Sequence, residues 1–297
     1  MRLYLSPEIE RELRQAILQD DVERFSELAS PLNWGKPSWS ASQLLVEVLD
    51  DDEKKLWSWA VNLTCHEDPH TRRYASTVLC QLWEKDREES SQVLTALADD
   101  EHWLVREGAH GVWSELLKKH FPQVLPILQV FGTHPSANLR RCVAIAARNA
   151  GNLRKKEWAE PLIQLLEPLL SDKTAYVRKN LGPYAIGDGL FRCYPDLTLK
   201  HLRRWANRED EGTRWNVAMA FASYGGNRNW REGMNILTEI AADKRRYVWR
   251  SVASALLYLA RRQPEVQDTL KMWLDDPDRA KVAETALKYL EAKKDYM

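Results

Sequence analysis

SDKTAYVRKNLGPYAIGDGL, residues 171–190, carries an aspartate (Asp172), a Val177-Arg178 pair five residues later, and then an apolar helical pattern. The same order recurs along the chain. Asp99 stands before Val105-Arg106, and Asp243 before Val248-Trp249-Arg250. Weaker copies are Thr71-Arg72-Arg73, Leu139-Arg140-Arg141 and Thr213-Arg214-Trp215. Taking Arg72, Arg106, Arg140, Arg178, Arg214 and Trp249 as equivalent markers, the steps are 34, 34, 38, 36 and 35 residues. A repeat of that length is one supersecondary unit, which cannot bury its apolar face alone and must stack on its neighbours.

Each marker opens a helical pattern. Three residues on come Ala75, Ala109, Val143, Leu181, Val217 and Val252. Ten on come Leu82, Leu116, Ala150, Tyr224 and Leu259, with Asp188 as the exception. With apolar pairs between them (Val78/Leu79, Ala255/Leu256), this spacing makes one stripe on a helix. Apolar runs such as 162–170 and 234–241 precede the markers, so each unit reads as two antiparallel helices joined by a polar turn. An Asp in the turn and an Arg opening the second helix, at this period, resemble HEAT repeats. The resemblance implies an all-α chain, a right-handed α-solenoid of the armadillo type, with the Asp and Arg forming a ladder between repeats. Residues 1–66 are expected to be an acidic helical cap and 67–297 the solenoid, as one continuous domain.

Composition agrees with that class. Apolar residues make up 44% of the chain, enough to fill a core, while Gly (12) and Pro (13) are sparse and β-branched runs few. Cys65, Cys80, Cys142 and Cys193 have no paired spacing, and the N-terminal segment has no apolar leader, so a cytoplasmic chain without a membrane span is expected. Net charge is zero but uneven. Residues 1–100 hold 11 Lys/Arg against 20 Asp/Glu, and residues 140–262 hold 23 against 12. Such asymmetry points to a polyanionic partner for the basic part.

Local signals place the elements. Ser6 and Pro7 start a helix over 6–18, and a second helix covers 20–29. Residues 30–40, SPLNWGKPSWS, are the least helical early stretch, with Trp34 and Trp39 as a packed cap or an aromatic binding loop. Asp50-Asp51-Asp52-Glu53 suits a helix N-terminus. Cys65, His66 and His70 lack the second ligand pair that structural zinc needs, so no metal is expected. There is no Gly-rich phosphate loop (Gly225-Gly226 lacks a following Lys-Ser/Thr) and no Ser/His/Asp set, so no cofactor is expected either.

The residue after each marker is expected to face away from the core: Arg73, Glu107, Arg141, Lys179, Trp215 and Arg250. Four of the six are basic, although the first turn of a helix disfavours cations. With Arg148 and Tyr258 further along their helices, and Arg245-Arg246 in the DKRRYVWR run at 243–250, they would make a basic track along the concave face. Residues 176–197, YVRKNLGPYAIGDGLFRCYPDL, with Arg204-Trp205 and Thr213-Arg214-Trp215, also resemble the DNA alkylation repair family of alkylpurine DNA glycosylases and their relatives. That resemblance implies a basic groove for double-stranded DNA, with tryptophans and a carboxylate beside the altered base. The Trp-Trp-Asp cluster of the family's active members is absent here, and Asp188 is the nearest substitute. At a core position between two glycines, Asp188 needs a partner, either a helix end to cap or a substrate. The leading expectation is a non-catalytic interaction protein holding nucleic acid or an acidic protein. The alternatives are a base-excision enzyme and a pure protein scaffold.

Overall fold

Side-chain caps set the helix starts. Ser6 accepts the Ile9 amide, Asp21 that of Arg24, Asp52 that of Lys55, Asp86 that of Glu89 and Asp210 that of Thr213. Each such cap stabilises its helix by about 1 kcal/mol. The structure is a computed structural model that describes residues 4–32, 35–49 and 52–292. Every regular element among these is helical, and the chain is built of stacked helix pairs. Trp34, Asp50, Asp51 and Tyr296 lie outside the described residues.

The chain divides into two compact units, Met1–Lys119 and His120–Met297. In unit 1, Pro7–Leu18 packs on Val22–Ala29 and Lys36–Leu49. Glu53–Cys65 packs on Ala75–Leu82, and Arg87–Ala98 on Trp103–Lys119. Its core centres on Phe25, which meets Trp59 and Tyr74 edge-on. The Lys36–Leu49 helix begins inside the stretch read as least helical, and leaves Trp39 45% exposed.

In unit 2 the first helices of the pairs are Phe121–Gly132, Ala159–Leu166, Pro195–Ala206, Trp230–Ala241 and Pro264–Met272. The second helices are Ala137–Gly151, Ala175–Asn180 continuing into Leu181–Phe191, Glu211–Ala220, Arg246–Ala260 and Ala280–Glu291. Each second helix packs on the next, so together they form one layer.

Three of the marker arginines, Arg72, Arg140 and Arg214, form ladder bonds. Arg72 donates to both carboxylate oxygens of Asp100 at 3.1 Å and to the carbonyls of His66 and Glu67 in its own turn. Arg140 does the same with Asp172 (2.6 Å) and the carbonyls of His134 and Pro135. Arg214 reaches Asp243 at 2.8 Å and the Arg208 carbonyl. The ladder carboxylate in the second repeat is thus Asp100, one residue beyond Asp99. Burial pushes the Asp172 carboxyl up, but the bonds from Arg140 and Thr174 outweigh it and hold it below the usual range. Asp243 is held well below that range, chiefly by Arg245 and then by Arg214, against its burial.

The 171–190 stretch departs from a plain α-helix. After Asn180 the backbone widens to π-winding over Leu181–Phe191. Pro183 has no N–H to give to the carbonyl four residues back, and its ring clashes with that carbonyl. The wider winding relieves the clash, and π-turns of this kind are rare. The register shifts with it, so Asp188 is half-buried and Leu190, 1% exposed, takes the core position. Tyr224 also leaves the expected stripe. Glu211–Ala220 ends early, Ser223 caps a short Tyr224–Arg228 helix, and Tyr224 is 50% exposed.

Candidate functional site

The second-helix layer of unit 2 gathers most of the predicted surface residues. Arg141 is the fifth residue of the Ala137–Gly151 helix and is buried, its guanidinium 4.9 Å from the Tyr176 ring centre on the next helix. Two turns on, the half-buried Arg148 sits 4.8 Å over Tyr184 and donates to Asn149. Each of these stacks joins neighbouring repeats. Sequence reasoning missed Tyr176 and Tyr184. The available signal was their spacing, since each comes one repeat after its arginine.

Beyond them the layer opens. Lys179 is exposed, and its side chain has no hydrogen bond or ion pair to a described residue. Trp215 is half-buried and stacks on Tyr247, with ring centroids 5.6 Å apart and planes 10° from parallel. Arg178 sits 5.0 Å from the centre of the same Tyr247 ring. The sequence pattern puts Arg178 in the ladder, but the fold uses it in this stack. Burial raises the Tyr247 phenol above its usual range, with Arg178 opposing. Trp215, Met219, Tyr247, Arg246, Arg250 and Ser254 line a cleft of about 550 Å³. Arg246 and Arg250 are exposed at its edge, their side chains unpaired among the described residues. The cleft offers flat aromatic surface beside two unneutralised guanidinium groups, an arrangement suited to planar groups and phosphates.

The remaining predicted residues lie elsewhere. Arg245 is used by its own turn, donating to both oxygens of Asp243 and to the Glu209 carbonyl. Arg73 belongs to unit 1, is 4% exposed, and donates to the Leu32 carbonyl and the Tyr74 hydroxyl. Arg73 and Arg141 thus turn inward where they were expected to face out. At both places a tyrosine ring takes up the guanidinium. Glu107 is half-buried in unit 1. The Asp188 carboxylate accepts the Tyr224 amide of the next repeat at 2.9 Å, so its polar demand is met by a backbone group.

In unit 1, Cys65 and His66 help line an open acidic hollow with Asp20, Asp21, Glu23 and Glu67. No group of three His, Cys, Asp or Glu among the described residues is arranged to hold a metal ion. No described helix is long and apolar enough to cross a membrane.

No protein-family model matches the chain, and no curated protein does. Among solved structures it is similar to YibA of Escherichia coli at 17% identity and TM-score 0.42, covering 98% of this chain and 99% of that one. An engineered protein is similar at 13% identity and TM-score 0.36, over 95% and 84% of the two chains. A second engineered protein gives 15% and 0.27, over 97% and 100%. Likenesses this distant say nothing of a site or a partner.

Proposed function

We propose that unit 2 is a non-catalytic binding module for a polyanionic partner, and for nucleic acid ahead of acidic protein. The observation that carries this is the cleft edged by exposed, unpaired Arg246 and Arg250, with Lys179 free on the same layer. It sits in the half of the chain that holds 29 Lys/Arg against 20 Asp/Glu, while unit 1 holds 14 against 23. The stacked Trp215 and Tyr247 favour nucleic acid, because bases stack on such planes while Arg and Lys meet the phosphates.

An excision activity of the alkylation repair kind would fall to Asp188. A carboxylate serves that chemistry by meeting positive charge as the base departs. One oxygen of Asp188 is already engaged by the Tyr224 amide, and no release of free alkylated base from treated DNA is expected.

The test is binding of a labelled, random-sequence duplex at two salt concentrations. About five phosphate contacts would weaken affinity roughly 10²–10³-fold between about 50 and 200 mM salt. Lys179→Glu with Arg250→Glu should remove most of the binding. If the wild-type chain fails to bind even at low salt, nucleic acid is excluded and the face belongs to a protein partner.

A further inference from the structure

The opposite end of the second-helix layer carries a row of arginines that the marker pattern does not include. Arg154, Arg192 and Arg228 each fall fourteen residues after a marker, Arg140, Arg178 and Arg214 in turn. Arg262 is one residue short of the next such position. Arg154, Arg192 and Arg262 lie one to three residues beyond the end of their repeat's second helix, and Arg228 ends the short Tyr224–Arg228 helix that follows Glu211–Ala220. Bonds between successive repeats stitch these ends into one edge. Arg192 donates to Asn152 at 2.5 Å, the Tyr224 amide to Asp188 at 2.9 Å, and Gln263 to Asn227 at 3.2 Å.

Arg154, Arg228 and Arg262 are exposed and Arg192 half-buried. None of the four pairs with a described carboxylate. Arg228 donates to the exposed Tyr224 hydroxyl at 3.2 Å, and Arg262 lies 3.9 Å from the Tyr258 ring centre. The Tyr224 phenol is drawn below its usual range by the Arg228 bond first, with the charges of Arg192 and Arg154 adding to it. Several unneutralised cations therefore converge on one exposed tyrosine. Complementing the helix dipole does not account for the row, since the same position in the two preceding repeats holds Asp86 and His120.

We infer that this arginine edge is a second phosphate-binding track, on which the backbone of a nucleic-acid strand lies across successive repeats with Tyr224 beside it. The track is separate from the Lys179–Arg250 face, roughly 20 Å away along the helices at 1.5 Å per residue. Packed helices stand about 8–10 Å apart, a spacing comparable with that of neighbouring phosphates along a strand. One arginine per repeat can thus meet the backbone at successive points, and a guanidinium fork holds each phosphate bidentately. The inference rests on unit 2 binding nucleic acid, as proposed above.

The experiment uses the full chain and a labelled random-sequence duplex, with affinity measured against salt. Arg154→Gln with Arg228→Gln alters two exposed side chains, and circular dichroism confirms folding. This variant should bind roughly 10²-fold more weakly at about 50 mM salt, with a log–log slope shallower by about 1.8. Arg154→Lys with Arg228→Lys keeps the charges and should keep the slope. Lys271→Gln, whose lysine pairs with Asp268, is the control and should change nothing. Wild-type affinity and slope in the Arg→Gln variant, with Lys179→Glu/Arg250→Glu impaired, would overturn the track and leave the proposed function standing. Displacement of the duplex by poly-glutamate as readily as by unlabelled duplex would overturn it too, making the edge a docking strip for acidic protein. A wild-type chain that binds no duplex at any salt would remove both together.

Discussion

Arg140 and Lys244 each pair with an aspartate in the following repeat, yet they should weigh very differently. Asp172 has only 3% of its side chain exposed, and Arg140 supplies its main charge partner. Lys244 and Asp278 form their pair in open solvent. Arg140→Ala strands a buried carboxylate and should cost about 3 kcal/mol, whereas Lys244→Ala should stay within about 0.5 kcal/mol. Urea midpoints separate the two. The pair also has a pH signature. Because the folded Asp172 carboxyl lies below its unfolded value, its contribution is complete above the usual carboxylate range and is lost as pH falls through the folded pKa. Wild-type stability should therefore drop from about pH 5 downward, and less steeply in Arg140→Ala. An identical acid limb in both proteins would count against the pair. Arg72, Arg140 and Arg214 were legible in the sequence because each joins a carbonyl of its own turn to a carboxylate of the next repeat. Arg178 was not, because what draws it from the ladder is Tyr247, two repeats away in sequence and visible only in the packing.

At the scale of the element, the π-wound segment is where local pattern and final structure part. A Cβ on Gly187 would stand 2.6 Å from the Ser223 Cβ and 2.7 Å from the Ala220 carbonyl oxygen, so the segment packs almost backbone to backbone on its neighbour. Gly111, in the Trp103–Lys119 helix, has nothing within 4 Å of such an atom. Gly187→Ala should destabilise by about 1–3 kcal/mol through overpacking. Gly111→Ala should stabilise by about 0.5–1 kcal/mol, since glycine inside a helix costs that much relative to alanine. Thermal melts should therefore shift in opposite directions, and a shared direction would show that the close approach at Gly187 is not what holds the segment. The helix pairs themselves were readable, because an apolar stripe at helical spacing has one compact outcome. Gly182-Pro183 was visible as an irregularity, but proline in a helix allows a break, a kink or a widened turn. The choice among them was made by Ser223 and Ala220 across the interface, which no local pattern encodes. The same limit applies to the site. The basic residues were legible as a class, but not which way each one turns: Arg141 goes inward onto Tyr176 of the adjoining helix, while Lys179 stays exposed.

For the whole molecule, zero net charge conceals two units of about equal and opposite charge, −9 for residues 1–119 and +9 for residues 120–297. A protein with no net charge lacks the general repulsion that keeps copies apart, and opposite fields on its two halves attract between copies. Screening sets how far that attraction reaches, about 30 Å at 0.01 M salt and less than 10 Å above 0.15 M. The chain should therefore associate reversibly near neutral pH in dilute buffer, with light scattering that rises with protein concentration, and should disperse in about 0.3 M salt. If unit 2 takes polyanions, poly-glutamate added in dilute buffer should disperse it too, because it occupies the basic half without screening the acidic one. Dispersal by salt but not by poly-glutamate would place the attraction outside the basic half. Scattering that stays flat across the whole salt range would mean that the two charge fields do not reach solvent, and with them would go the electrostatic basis for a polyanionic partner.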